Sequence, residues 1–177
     1  INLPEGGNFA ISFKLEEPFT ARSITIHTTQ APIFADAVLQ IKDDENNYKT
    51  ISQFVINRSN PALNVGFDPY APITISLPNS TSKEFRLILT YNSRGNGLAE
   101  VTLSSVPRVE RYSEKTLAKM HPTPLPYWKD YLWPEQPEAD DKSLIIQDKQ
   151  ILDITEYMTS DGVLNWDVPE GEWIILR

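Results

Sequence analysis

Apolar and polar residues alternate along the first two thirds of the chain, beginning with Phe9, Ile11 and Phe13 on one side of the alternation. A period of two is typical of a β-strand with one buried and one solvated face. Similar short runs follow, separated by turn-forming residues, at 23–28, 37–42, 48–57, 72–77, 84–91 and 98–109. Because no helical pattern intervenes, the sequence predicts an all-β domain, an antiparallel β-sandwich or jelly roll.

One short helix is predicted at 113–120, where Ser113 is placed to cap the first turn and His121-Pro122 ends the helix. The composition then changes, since 121–137 holds five of the 14 prolines. Such spacing prevents a regular helix or a central strand, and we therefore interpret this stretch as an extended linker. Four aromatic residues interleave with its prolines: Tyr127, Trp128, Tyr131 and Trp133.

Strand-like alternation returns near the end of the chain, at 144–147, 151–155, 163–168 and 172–176, with tight turns predicted at Gly162 and Gly171. Trp166 and Trp173 alternate with polar residues and are interpreted as core. The predicted organisation is a β-sandwich at 1–112, a short helix and Pro/aromatic-rich linker at 113–140, and a C-terminal β-strand extension at 141–177.

Composition narrows the class of protein. The chain has 177 residues, a formal net charge of −8 and no cysteine. The missing cysteines exclude a disulfide scaffold and a thiol nucleophile, and the acidic balance argues against a nucleic-acid partner, which is held by clustered Lys and Arg. No apolar run approaches the roughly 20 residues of a membrane span, and residues 1–7 lack the features of a signal sequence. We interpret the chain as a piece of a longer protein.

A search for catalytic groups gives little. The chain has only two histidines, His27 and His121, and no G-x-S-x-G elbow, so no nucleophilic triad is indicated and both histidines are interpreted as structural. Asp167 and Glu170 are the nearest candidate pair of carboxylates for glycoside hydrolysis, but they flank a turn, and a solvated hairpin is the favoured interpretation.

Two binding hypotheses remain open at this point. The acidic stretch Asp43, Asp44 and Glu45 could supply part of a calcium site, since Ca²⁺ prefers carboxylate and carbonyl oxygens, or it could be a solvated turn between two strands. The linker aromatics could offer flat apolar faces to sugar rings, or they could pack against their own domain. No other cofactor is indicated.

Two sets of segments carry a resemblance to known families. The order of 21–28, 38–51, 85–90 and 97–103 resembles the discoidin-like, or galactose-binding-like, β-sandwich. The stretch 151–177 resembles a signature of the bacterial family-106 glycoside hydrolases, the α-L-rhamnosidase-like enzymes. The matching residues are Asp153, Thr155, Gly162, Leu164, Trp166, Asp167, Pro169, Gly171, Trp173 and Arg177.

The second resemblance implies a β-sandwich that interrupts a catalytic (β/α)₈ barrel, with the signature marking the return of the chain to that barrel. It also implies that the catalytic carboxylates and calcium ligands lie on barrel loops outside this chain, so no catalytic residue is assigned. The expected location of such an enzyme is the periplasm or the cell exterior.

The expected function is therefore that of a non-catalytic sandwich domain in a polysaccharide-degrading enzyme, with the barrel of the same polypeptide as its partner. One alternative is a carbohydrate-binding module that holds plant-polysaccharide sugars through Tyr127, Trp128, Tyr131 and Trp133. A second alternative is an inert interaction or spacer domain.

Overall fold

The computed structural model describes residues 7–29, 33–58, 70–91, 97–115 and 141–176. Five strands and one helical turn form the larger part: β1 (Asn8–Thr28), β2 (Ile33–Lys42), β3 (Tyr48–Arg58), β4 (Ile73–Tyr91), β5 (Leu98–Ser104) and α1 (Tyr112–Lys115). Three single 3₁₀ turns follow, at Lys142–Leu144, Asp148–Gln150 and Thr155–Tyr157. The chain divides into two compact units, Ile1–Asp140 and Asp141–Arg177, which we call the sandwich unit and the C-terminal unit.

Two long strands, β1 and β4, organise the sandwich unit. All strand pairs are antiparallel, and the strand order is β3-β2-β4-β1-β5. The first half of β1 pairs with the second half of β4, next to β2, whereas the second half of β1 lies between the start of β4 and β5. Register shifts between Lys14 and Phe19 and between Ala21 and Ser23 separate the two halves of β1. The two long strands therefore run through both parts of the fold.

Both parts contribute to one hydrophobic core. One cluster of fully buried side chains includes residues from both parts. The region around β5 contributes Ile24, Ile26 and Ile73, and the region around β2 contributes Leu39 and Leu87. Along β2 and the second half of β4 the burial alternates with a period of two, as expected for strands with one core face. The arrangement is the antiparallel β-sandwich that the sequence predicted, with one short helix beside it.

The strand boundaries differ from the prediction at two prolines. Proline is typical of the turns that separate strands, which places strand ends at Pro18 and Pro78, but β1 and β4 continue through them. Both prolines are exposed and lie at or beside positions where the β1–β4 ladder is interrupted, so the ladder does not need an N–H group from them. β5 is shorter than predicted because the chain leaves the ladder after Ser104.

Polar anchors fix the segment after β5 onto the sandwich. Glu110 is 6% exposed, and its carboxylate accepts a hydrogen bond from the Ser76 backbone N–H. Arg111 has a φ of 46°, and its backbone N–H donates to the Thr74 carbonyl oxygen. The helical turn then begins at Tyr112, so Ser113 lies inside the helix instead of capping it, and 116–120 are outside the described residues.

The strands predicted for the last part of the chain are absent from the described stretch 141–176, and that prediction was wrong. Its pairing is one isolated bridge, between Met158 and Leu164, beside the three 3₁₀ turns. Alternation alone does not make a strand, because each strand needs a neighbour that takes up its backbone hydrogen bonds. Both tryptophans of this stretch were interpreted as core. Trp166 is half-buried, and Trp173 is 39% exposed.

Candidate functional site

The candidate aromatic residues of the linker, Tyr127, Trp128, Tyr131 and Trp133, all lie outside the described residues. So does His121. A role for the linker in sugar binding therefore stays a prediction. His27 lies in β1, where it pairs with Glu100 on β5.

The acidic stretch between β2 and β3 forms a tight, exposed turn. The Asp43 carboxylate accepts hydrogen bonds from the backbone N–H groups of Glu45 and Asn47, at 3.0 and 2.8 Å. Asn46 takes a φ of 67°, which Asn tolerates better than most residues. In the described ranges, no group of three or more His, Asp or Glu side chains could hold a metal ion. Calcium binding by Asp43, Asp44 and Glu45 stays a prediction.

A second polar cluster covers part of the outer face of the sandwich. The Arg86 guanidinium lies 3.5 Å from the centroid of the Tyr48 ring and donates two hydrogen bonds to the Gln40 side-chain oxygen. The Tyr48 hydroxyl donates to the Glu84 carboxylate at 2.5 Å, and the Lys42 ammonium lies 3.4 Å from the same carboxylate. These five side chains link β2, β3 and β4 on the face opposite the core.

This cluster perturbs two titrations in opposite directions. The hydrogen bond from Tyr48 and the ammonium of Lys42 lower the pKa of Glu84 below its usual value of 4.5. The same hydrogen bond, with the charge of Glu84, raises the pKa of Tyr48 above 10.0. The side chains of this cluster pair with one another across β2, β3 and β4. The cluster therefore stabilises the pairing of these strands.

The C-terminal unit has a different surface. No residue of the described stretch 141–176 is buried. Of the seventeen large apolar side chains that are exposed in the described part of the chain, twelve belong to this unit. Ile146 is 71% exposed, Ile174 84% and Leu176 89%. Apolar surface of this density marks an interaction site more often than a free surface.

The signature residues give this unit its local order. Thr159 closes a turn against Val163, since its backbone N–H and its hydroxyl both donate to the Val163 carbonyl oxygen. Gly162 allows the turn because it takes a φ of 84°. A hydrogen bond with the Thr159 side chain and one with its own backbone N–H lower the pKa of Asp161. Hydrogen bonds with the side chain and backbone of Thr155 lower the pKa of Asp153. Both carboxylates therefore hold loop geometry.

The two tryptophans of the signature form a pair. Their rings meet edge to face, with centroids 5.6 Å apart and an angle of 86° between the planes. The Trp173 indole N–H donates to the Pro169 carbonyl oxygen at 2.9 Å. Gly171 allows this fold-back because it takes a φ of 142°, a backbone conformation that residues with a side chain rarely adopt. The ring of Trp166 is thereby held against a ring that is itself fixed to the backbone.

An open cavity of about 590 Å³ lies beside this pair. Its lining residues are Tyr157, Leu164, Asn165, Trp166 and Asp167. The Asn165 backbone N–H donates to the Tyr157 carbonyl oxygen at 3.0 Å, which joins the two ends of the lining segment. Aromatic rings beside an amide and a carboxylate are a composition found in small-molecule sites. Asp167, considered above as a hydrolytic carboxylate, lies in this lining, and Glu170 is exposed outside it.

The alternation of Trp166 with polar residues misled the sequence interpretation, because alternation predicts a core side chain only when a sheet forms. The consecutive residues Asn165, Trp166 and Asp167 were the signal that could have indicated the cavity, since they place an aromatic ring between two polar groups.

A family model described as alpha-L-rhamnosidase, for glycoside hydrolase family 106, matches residues 3–177. The chain belongs to glycoside hydrolase family 106. This family-106 chain is a β-sandwich domain associated with carbohydrate chemistry, and its signature residues are those described above. Among the described residues, no helix is long and apolar enough to cross a membrane.

Two solved structures resemble the family-106 chain. A rhamnosidase from Novosphingobium sp. PP1Y is 20% identical, with a TM-score of 0.52 over 92% of this chain and 14% of that protein. CpGH89CBM32-5 from Clostridium perfringens, in complex with GalNAc-beta-1,3-galactose, is 14% identical, with a TM-score of 0.45 over 57% of this chain and 68% of that chain. At these identities the rhamnosidase likeness concerns the fold alone.

One short match comes from a curated protein of Formosa agariphila that is named as a beta-glucuronidase. It is 46% identical over 33 residues, which are 19% of this chain and 3% of that protein. The family-106 chain thus spans a small fraction of the larger relatives that it matches.

Proposed function

We propose that this chain is a non-catalytic β-sandwich domain of a polysaccharide-degrading family-106 glycoside hydrolase. In this proposal the C-terminal unit docks against the rest of the same polypeptide, its catalytic barrel, and the sandwich supports or shapes that barrel. The single observation that carries the proposal is the exposed apolar surface of 141–176, which contrasts with the buried core of the described sandwich strands.

The length of the C-terminal unit supports docking. Asp141–Arg177 is shorter than the roughly 40 residues below which a chain without disulfides or metals rarely builds its own core. Four consecutive apolar residues near its end, Trp173, Ile174, Ile175 and Leu176, are all at least 39% exposed. A continuous apolar run of this kind is typical of strands that are covered on both faces in a larger α/β fold.

Family membership supports the identity of the partner. This chain covers only 14% of the solved Novosphingobium rhamnosidase, so an enzyme of that length has ample further polypeptide for such docking. The resemblance to polysaccharide-degrading enzymes also supports an expectation that the parent acts in the periplasm or outside the cell.

The test substitutes Ile174→Asp and Leu176→Asp together, in the complete parent and in the chain 1–177. Charges on an interface are costly to bury, so the parent should melt at a lower temperature and lose α-L-rhamnosidase activity. The sandwich of the isolated chain should unfold as before, because these side chains are exposed there. Val109→Asp, at a 56% exposed position of the sandwich unit, is the matched control and should spare the parent.

An unchanged melting temperature in the doubly substituted parent would contradict docking. Hydrolysis of an aryl α-L-rhamnoside by 1–177 alone would contradict the non-catalytic role. The alternative that the linker holds sugar is tested by titrating 1–177 and a Trp128→Ala, Trp133→Ala variant with rhamnose-containing oligosaccharides, where saturable binding lost in the variant would favour it. A spacer would show neither docking nor binding.

A further inference from the structure

We propose that the cavity beside Trp166 is a binding subsite for one neutral pyranose residue. It is formed within the C-terminal unit by Tyr157, Leu164, Asn165, Trp166 and Asp167. This inference goes beyond the proposed function, which requires only that the apolar surface of the unit be covered.

The lining has the two kinds of group that a sugar ring requires. A pyranose presents C–H groups on its faces and hydroxyl groups around its edge. Trp166 and Tyr157 contribute to the apolar part of the lining, which is smaller than its polar part and can contact the C–H groups. The Asn165 amide can donate and accept hydrogen bonds, and the Asp167 carboxylate can accept them from hydroxyl groups. The volume of about 590 Å³ lies within the range of small-ligand sites.

The lining is held in place before any ligand arrives. Trp166 meets Trp173 edge to face, and Trp173 is hydrogen-bonded to the Pro169 carbonyl oxygen. The bridge between Met158 and Leu164 fixes the backbone of Leu164, which is itself a lining residue. Fixed aromatic groups lose little conformational freedom on binding, and this raises the affinity obtained from a small contact area.

The local charge selects a neutral sugar. Between 141 and 177 the chain carries eight acidic and three basic side chains, and one of the acidic groups, Asp167, lies in the cavity lining. A uronate or a sugar phosphate would bring a second negative charge to a carboxylate that has no cationic neighbour in the lining. Neutral pyranosides carry no such cost.

The experiment titrates the complete chain 1–177 with two neutral glycosides, methyl α-L-rhamnopyranoside and methyl β-D-galactopyranoside, and with one anionic glycoside, the methyl α-glycoside of D-galacturonic acid. The four tryptophan indole N–H signals are followed by NMR. Trp166→Phe assigns the Trp166 signal. We expect that signal to shift saturably with at least one neutral glycoside, at millimolar concentration, and the galacturonate to bind at least tenfold more weakly.

Variants distinguish binding at this cavity from binding at the linker aromatics. Trp166→Ala should weaken binding at least tenfold, whereas Trp128→Ala with Trp133→Ala should leave it unchanged. Since Trp166→Ala could loosen the unit, Asp167→Asn is the second variant, and it should narrow the difference between galacturonate and the neutral sugars while the Trp173 signal stays in place.

Three results would overturn the proposal: no shift of the Trp166 signal with any of the glycosides, binding that survives Trp166→Ala, or equal binding of the charged and neutral sugars. Repeating the titration on the complete parent completes the test. Binding by the chain 1–177 that disappears in the parent would mean that the parent's own residues fill the cavity. That result would leave the docking proposal intact and overturn this one.

Discussion

The two units of this chain use similar sequence patterns in different ways. The sandwich unit alternates apolar and polar residues and places its apolar side chains in one cluster, in which Ile24, Leu39 and Leu87 are fully buried. The C-terminal unit also alternates, yet Ile151, Val163 and Ile174 are 63%, 50% and 84% exposed. The comparison teaches that alternation reports which side chains can share a face, whereas burial depends on a second surface to cover that face.

The largest expected effect comes from a matched pair of leucines. Leu87→Ala removes a fully buried side chain from the core and should lower the free energy of unfolding by about 2–5 kcal/mol. Leu176→Ala removes a side chain that is 89% exposed and should change it by no more than about 0.5 kcal/mol. Urea denaturation of 1–177, followed by far-ultraviolet circular dichroism, measures both.

If the two leucine variants lost similar amounts of stability, the C-terminal unit would be packed in solution, and the contrast between the units would fail. The same pair in the complete parent sharpens the comparison, because there Leu176→Ala should become costly if the unit is docked.

A smaller effect is expected at a buried cation of the sandwich. Arg58 is 2% exposed, and its guanidinium donates to the carbonyl oxygens of Asn57, Ala71 and Pro72. Arg58→Met leaves these acceptors without that donor, and should cost about 2–3 kcal/mol. Arg108→Met, at an exposed position, is the control and should stay within about 0.5 kcal/mol. Equal losses for the two variants would show that the buried hydrogen bonds do not stabilise this end of the sandwich.

The smallest effect is a change in pH dependence. Because the folded state lowers the pKa of Glu84, the stability from this group is present above pH 4.5 and is lost as the pH falls through the lower folded value. For Tyr48, whose folded pKa is raised, the stability is present below pH 10.0 and is lost at higher pH. Melting temperatures of Glu84→Gln should therefore fall less steeply than those of the unsubstituted chain between about pH 5 and pH 3.

Glu16→Gln, on an exposed position of β1, is the control for that series and should follow the unsubstituted chain. Parallel curves for all three proteins would show that the Tyr48 and Glu84 contact does not form in solution. The carboxyl groups of Asp153 and Asp161 also have lowered pKa values. They lie in the C-terminal unit, in which no residue of 141–176 is buried, so we expect them to leave the melting temperature of the sandwich unchanged.

The strand content and the core of the sandwich could largely be predicted from the sequence. Its strands pair with each other, so the apolar residues of each alternating pattern are buried on one face. The continuity of β1 through Pro18 did not, since it depends on an interruption of the ladder that only the partner strand reveals. In the C-terminal unit the signature identified the family, but the placement of Trp166 was missed. That placement depends on the hydrogen bond from Trp173 to Pro169, which the backbone conformation of Gly171 allows.

The pairing of β1 with β4 also has a consequence for synthesis on the ribosome. β1 ends at Thr28, and β4, the first of its two partner strands to be made, begins at Ile73, roughly 45 residues later. At about 5–20 residues per second, the backbone hydrogen-bonding groups of β1 wait about 2–9 seconds for their partner. During that interval β2 and β3 can already form a hairpin, while the longest strand of the fold waits for β4 and is the part most exposed to pairing with another nascent chain.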